Sequence, residues 1–341
     1  MHSPIRALII FNPIAGQAAS FEQDIHAASE VWRAHGWVVE IQPTAGPGDG
    51  TRLARAAALA GYDVVVAAGG DGTVNEVVNG LVGTQTALGA LPIGTVNVWV
   101  RELGLPLQPR AAAAALLDAQ PRAIDLGRAG DRHFLLMAGI GFDAAVTAEV
   151  RAHEKRRLGV FAYIFRALDL ARRFRGIRMR IVVDGKALRT RALMVVLGNS
   201  QLYGGFLKIT GRASLDDGLL DVCIIKGNTL RGVPLRILSI LLRRSTLDPK
   251  IEYHRARSVR IETRLPLPVQ VDGDHIGYTP MVFESVPGAL RALLPTTLPT
   301  DLLHAEHMPP RRAWRHMLGW IGQRPRAARS GTPEPREEVR R

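Results

Sequence analysis

Apolar residues in the first third of the chain come in short unbroken runs, separated by stretches where they recur at helical spacing. The pattern predicts strand Arg6–Phe11, a helix near Phe21–His35, strand Trp37–Gln42, helix Gly50–Ala60, strand Asp63–Ala67, helix Val74–Leu81 and strand Ala87–Leu91. Strands that alternate with helices predict an open α/β domain with a parallel sheet, its ligand loops at the carboxyl edge. A helix over Arg110–Ala119 follows. After Pro121 the pattern changes to short strands: Arg122–Leu126, His133–Ala138, Met179–Val183, Ala192–Gly198, Leu219–Ile225, Ser258–Thr263 and Pro268–Val271. These predict a second, mainly antiparallel β domain, with helical stretches at Ala144–Arg175, broken near Gly159, and at Leu230–Leu242. The expected division is 1–122, 123–297 and a basic tail, 298–341.

Composition narrows the class. With 47% hydrophobic residues the chain can build ordinary cores without disulfides, and its single cysteine, Cys223, lies in an apolar run where a buried thiol is expected. No apolar stretch approaches the roughly 20 residues that cross a bilayer. The start, Met1–Phe11, is expected to be a first strand rather than a signal peptide. A net charge of +13 points to phosphate-bearing partners: nucleotides, nucleic acid or anionic lipid surfaces. Aromatic residues make up only 6%, with no aromatic and basic platform, which argues against nucleic acid. Trp314, Leu318, Trp320 and Ile321 interrupt the tail and suggest a weakly docked helix or a short membrane anchor.

Glycine-rich segments follow the expected strands. Asn12-Pro13-Ile14-Ala15-Gly16 follows the first strand. Gly69-Gly70-Asp71-Gly72-Thr73-Val74-Asn75-Glu76 follows the third and opens a helix. Glycines there let backbone N–H groups turn toward phosphate oxygens, and a helix N-terminus favours an anion. An aspartate in such a loop would repel a nucleotide unless Mg²⁺ stands between them or it serves as a base. Pro92-Ile93-Gly94-Thr95-Val96-Asn97 converges on the same edge. Gly139–Ala144 partly imitates a dinucleotide fingerprint but lacks the acidic strand end that motif requires. Ser214–Asp221 carries acids and a glycine suited to a turn or a hard cation, and Val271-Asp272-Gly273-Asp274 is either a strand that places two acids on the same side or a hairpin turn.

Taken in order, Asn12–Gly16, Gly69–Glu76, Gly94–Asn97, Asp216–Val222 and Asp272–Asp274 resemble the diacylglycerol kinase catalytic family, which includes bacterial lipid kinases and sphingosine kinases. The resemblance covers roughly residues 5–295, and Asn199–Leu207 resembles the family's glycine-rich stretch. It implies an α/β nucleotide-binding domain of the NAD kinase and diacylglycerol kinase type, with a β-sandwich second domain. It also implies an ATP-dependent lipid kinase, cytoplasmic and peripheral at the inner membrane face. ATP would be contacted by Asn12, Gly16, Thr44, Gly69, Gly70, Asp71, Gly72, Thr73, Val74, Asn75, Glu76, Gly94, Thr95 and Asn97. Asp217, with the carbonyls of Ser214 and Leu219, would hold a structural Mg²⁺. Asp274 would be the general base and Asp71 would orient the catalytic Mg²⁺; in sphingosine kinase relatives the residue matching Asp71 is the favoured base. Two positions depart from the family pattern: Val98, where many members carry aspartate, and Asp274, commonly glutamate.

The acceptor is expected to be diacylglycerol or a related lipid alcohol, with sphingoid bases and ceramide as alternatives. Basic clusters at Arg151–Arg157 and Arg172–Arg180 fit docking on anionic headgroups. NAD kinase, which shares a Gly-Gly-Asp-Gly-Thr loop, and a catalytically weakened nucleotide- and lipid-binding regulator are the rivals. Oligomeric state is left open, with a homodimer among the options.

Overall fold

The computed structural model describes residues 4–13, 20–149, 174–229, 239–240, 248–299 and 301–304. Most of the two helical stretches expected after residue 144, and the tail with its tryptophans, lie outside these.

The parallel half runs β1 (Arg6–Phe11), α1 (Ser20–Arg33), β2 (Val38–Pro43), α2 (Asp49–Leu59), β3 (Val64–Gly69), α3 (Asp71–Leu81), β4 (Ala87–Pro92), α4 (Val98–Glu102) and α5 (Pro109–Leu117). Strand order is β2-β1-β3-β4, with parallel pairing throughout. Every residue of β3 and β4 is buried, as expected of parallel strands covered on both faces. Two tryptophans fix one cover: Trp32 is buried and donates Nε1–H to the Ala113 carbonyl at 2.9 Å, joining α1 to α5, and stacks on Trp37.

The second half continues with β5 (Gln120–Ala129), β6 (Arg132–Phe134), β7 (Met137–Gly141), α6 (Phe142–Glu149), β8 (Ile177–Val183), β9 (Lys186–Gly198), β10 (Leu202–Tyr203) and β11 (Leu207–Lys208). Then come β12 (Leu220–Lys226), β13 (Ile251–Ala256), β14 (Ser258–Thr263), β15 (Pro268–Val271), β16 (Asp274–Tyr278) and β17 (Met281–Leu294). Pairing within it is antiparallel. Its core packs Ile181, Val195, Leu197, Val222, Val259 and Phe283 between the layers. Cys223 is buried, and burial pushes its thiol up to about 12, which makes it a core residue.

Two expectations change. The run His133–Ala138 is two strands, β6 and β7, split at Leu135–Leu136, whose backbone N–H groups turn to the Asp272 carboxylate instead of a ladder. The longest strand, β17, was not expected. It pairs antiparallel with β5 and, at Arg291 and Ala292, parallel with β4, so one strand stitches the two halves into a continuous sheet. No described helix is long and apolar enough to cross a membrane.

Candidate active site

The loops at the carboxyl edge of the parallel strands touch in a row. Thr44 N–H donates to the Phe11 carbonyl at 2.8 Å, and Asn12 N–H to the Ala68 carbonyl at 3.4 Å. β3 enters α3 through the single residue Gly70. The expected helix start at Val74 moves to Asp71, because Val74 N–H donates to the Gly70 carbonyl at 3.1 Å and closes the first turn around Asp71, Gly72 and Thr73. The residue before the helix, Gly70, has no side chain to cap that turn, and the dipole of a helix N-terminus favours an anion there. Gly16 lies outside the described residues.

The loop after β4 backs onto this turn. A Cβ at Gly94 would sit 2.4 Å from the Gly70 Cα, so the two glycines meet backbone to backbone. Asn97, at φ 54°, closes its own loop: Nδ2 donates to the Gly94 carbonyl and Oδ1 accepts from Gly94 N–H, both at 2.8 Å. Thr95 is exposed at the tip.

Asp71 joins two helix ends. Its Oδ1 accepts from Trp99 N–H at 3.4 Å, in the first turn of α4, while burial raises its pKa and the N–H groups of Trp99 and Val98 draw it partly back. Glu76 points the other way. Its carboxylate accepts from Gly48 N–H at 2.8 Å and Gly50 N–H at 2.9 Å, supplying the cap that α2 lacks.

Asn75 is buried and donates Nδ2–H to the His133 carbonyl at 3.0 Å and to Asp272 at 2.8 Å. One turn later Asn79 donates to the same carbonyl and accepts from His133 N–H, both at 3.0 Å, fastening α3 to β6. Asp272 completes the bracket, accepting from Leu135 at 2.8 Å, Leu136 at 3.0 Å and Met137 at 2.9 Å. Burial nevertheless pushes its carboxyl up to about 6.

The two acids of that hairpin do not share a side, as the sequence suggested. Asp272 and Gly273 both have positive φ, 46° and 89°, and form the two-residue turn between β15 and β16. The turn sends the Asp272 carboxylate inward and leaves Asp274 exposed, with Arg132 Nη2 at 3.8 Å. Asn75 is one helical turn past Asp71, and Asp272 is two residues before Asp274. A single 2.8 Å hydrogen bond therefore ties together the elements carrying both candidate bases.

The Ser214–Leu219 turn was the expected metal site. Asp217 accepts from Leu219 N–H at 2.9 Å and pairs with Arg255, whose Nε lies 3.2 Å from Asp221. Ser214 Oγ donates to Asp216 at 3.0 Å, and Asp125 holds the turn by accepting from Gly218 N–H at 2.6 Å. Burial pushes Asp221 up to about 7. The oxygens are hard enough for a divalent cation, but Arg255 already supplies the positive charge between Asp217 and Asp221. As arranged, these residues do not fit a metal ion. Among the described residues no group of three or more acidic, histidine or cysteine side chains is placed to hold one.

Asn79, Glu102, Asp125 and Arg255 carry no local motif that marks them in the sequence. Asp143, within the dinucleotide-like segment, is structural: it accepts from Gln270 at 2.6 Å and from Tyr203. Only Asp272 had a local signal, the Asp-Gly pair of a hairpin turn.

Residues 6–129 match the diacylglycerol kinase catalytic domain, and residues 137–294 match the YegS C-terminal NAD kinase beta sandwich-like domain. A diacylglycerol kinase of Bacillus subtilis (strain 168) is 31% identical over 294 residues, covering 85% of this chain and 96% of that one. A diacylglycerol kinase of Staphylococcus aureus (strain MRSA252) is 30% identical over 307 residues, covering 89% and 97%. Among solved structures, a diacylglycerol kinase of Bacillus anthracis (strain Sterne) shares the fold with a TM-score of 0.69 at 24% identity, covering 86% of this chain and 98% of that one.

Proposed function

Because the chain belongs to the diacylglycerol kinase catalytic family and is a lipid kinase, we propose that its donor is ATP and its acceptor the hydroxyl of diacylglycerol or a related lipid alcohol. The observation that carries this reading is the uncapped first turn of α3, backed by Gly94 and bracketed through Asn75 and Asp272 to the hairpin that presents Asp274. The N–H groups of that turn take nucleotide phosphate oxygens, and an exposed carboxylate takes the acceptor's proton.

The acceptor oxygen attacks the γ-phosphorus in line. Its O–H proton passes to the Asp274 carboxylate, a P–O bond forms, the bond to the bridging oxygen breaks, and ADP leaves. Mg²⁺, when bound with the triphosphate, supplies charge neutralisation, and Asp71 is the carboxylate that would hold it. A second reading exchanges the roles of the acids: burial raises the pKa of Asp71, the direction that strengthens a carboxylate as a base. The enzyme would work from the cytoplasm as a peripheral protein at the inner membrane face, in lipid metabolism.

The test is transfer of radiolabelled γ-phosphate from Mg-ATP to lipid in mixed micelles, comparing wild type, Asp274→Asn and Asp71→Asn. A labelled diacylglycerol product that disappears in Asp274→Asn supports the proposal. Label on sphingoid bases or ceramide alone would change the acceptor. ATP binding without transfer to any lipid, sphingoid base or NAD would replace the enzyme with a nucleotide-binding regulator.

A further inference from the structure

The outer face of the β8–β9 ribbon is built against its own stability. Arg178 lies directly opposite Arg191, and Arg180 directly opposite Arg189. Like charges facing across an antiparallel pair destabilise it. All four side chains belong to exposed residues that alternate with inward residues such as Met179 and Ile181. The neighbouring strand adds a single acid, Glu262, and that acid is shared by Arg180 at 2.8 Å and Arg260 at 2.7 Å. No carboxylate of the described residues pairs with Arg178, Arg189 or Arg191. These arginines line an open groove of about 580 Å³ that ends at Thr263 and Arg264.

Two exposed apolar side chains lie beside Thr263 and Arg264. Leu265, next to Arg264, is 72% exposed, and Tyr278, at the end of β16, is 57% exposed. The two ends are held together, since the hydroxyls of Thr263 and Thr279 lie 2.5 Å apart and Thr279 N–H donates to the Leu267 carbonyl. Arginines with no carboxylate partner among the described residues, beside an exposed leucine and tyrosine, form the chemistry of an interfacial surface: guanidinium groups meet headgroup phosphates while the apolar tips enter the acyl boundary. A nucleic acid would use the charge but not the leucine. Tyr278 stands about 13 Å along β16 from Asp274, so a bilayer held here lies one short strand from the proposed base.

We propose that this face docks the protein on anionic phospholipid bilayers. The assignment deepens the lipid-kinase reading and rests on it for the choice of a membrane over other polyanions. It adds to the basic clusters a sheet face assembled from four separate segments; Arg178 and Arg180 belong to the cluster Arg172–Arg180, and Arg151–Arg157 lies outside the described residues.

The test is flotation of the full chain, without ATP, on phosphatidylcholine vesicles with and without 30% phosphatidylglycerol. Wild type is expected to bind the anionic vesicles, to ignore the neutral ones, and to be released by 0.5 M salt. The triple variant Arg178→Gln, Arg189→Gln, Arg191→Gln should partition on the order of 100-fold more weakly, from about a tenfold step or less per cation. Its melting temperature should not fall, because facing like charges have been removed, and its phosphorylation of lipid in detergent micelles should be unchanged. Leu265→Ser should weaken binding without altering its salt dependence. Equal partition of the triple variant and wild type overturns the proposal, as does wild type that ignores anionic vesicles while binding an RNA oligomer through the same arginines. Vesicle binding that follows the arginines in a protein with no lipid phosphorylation would remove the kinase reading and leave the docking face standing.

Discussion

The carboxyl edge of the parallel strands and the Asp272–Asp274 hairpin of the antiparallel half meet at one site, but they are built from different material. At the edge the proposed working groups are backbone: the N–H groups of the first turn of α3, and two glycines in contact at Gly70 and Gly94. In the hairpin they are carboxylates, and turn geometry decides which faces in and which faces out. A site made of backbone depends on residues that take up no space. A site made of side chains depends on distant partners, as when Asp272 takes donors from residues 135 to 137 and from Asn75.

The hairpin offers the strongest way to separate structure from chemistry. Asp272→Ala leaves four donors without an acceptor inside the molecule, and at 1–3 kcal/mol each, discounted for relaxation, the loss is roughly 5 kcal/mol. Urea unfolding should show a protein near the edge of folding; a loss below about 1 kcal/mol would mean the bracket is incidental. Asp274→Asn, two residues on, should do the reverse. The residue is exposed, so the melting temperature should hold, while turnover falls about 10²- to 10⁴-fold, the usual contribution of a general base. Wild-type turnover in that variant would transfer the role to Asp71.

The glycine edge is the next target. Gly94→Ala forces a Cβ toward the Gly70 Cα, where only backbone can yield, so the two loops must part. Overpacking of this kind costs about 1–3 kcal/mol, and it falls on the turn proposed to take phosphate. The expected result is a KM for ATP raised about 10- to 100-fold with the acceptor KM unchanged. Equal effects on both would place the damage in the fold rather than in the nucleotide site.

The difference between backbone and side-chain sites also explains what the sequence disclosed. The α/β alternation and the glycine segments were legible because apolar period and glycine clustering are local properties. The antiparallel half was legible as strands, though β17 was not expected: Ser285, Pro287 and Gly288 interrupt its apolar pattern. The roles of the acids were the least legible. Asp272 and Asp274 are equivalent in a list of residues, and positive φ at two positions separates them. Asp217 was expected to meet a cation, and it does, but the charge is Arg255, brought from β13 by strand pairing with β12.

The smallest expected effect tests the joint between the two halves. Glu102, at the end of α4, accepts from the N–H groups of Gln201 and Leu202, both at 2.8 Å, so one buried carboxylate joins α4 to the start of β10. Burial pushes it up to about 7 from 4.5, outweighing the two N–H donors and Lys208, while Asp301 raises it further. A folded-state pKa above the unfolded one gives stability that is complete below about pH 4.5 and lost as pH rises through 7. Glu102 therefore makes the protein less stable at pH 8 than at pH 5, by on the order of 2 kcal/mol once the upper bound set by the shift is discounted. Glu102→Gln cannot ionise and keeps one acceptor. It should lose stability at pH 5, where the second N–H is orphaned, and lose less on going to pH 8 than wild type does. Asp221 and Asp272, also raised, keep part of the slope in both proteins. Parallel stability curves for wild type and Glu102→Gln between pH 5 and 8 would show that the joint is held by something other than this carboxylate.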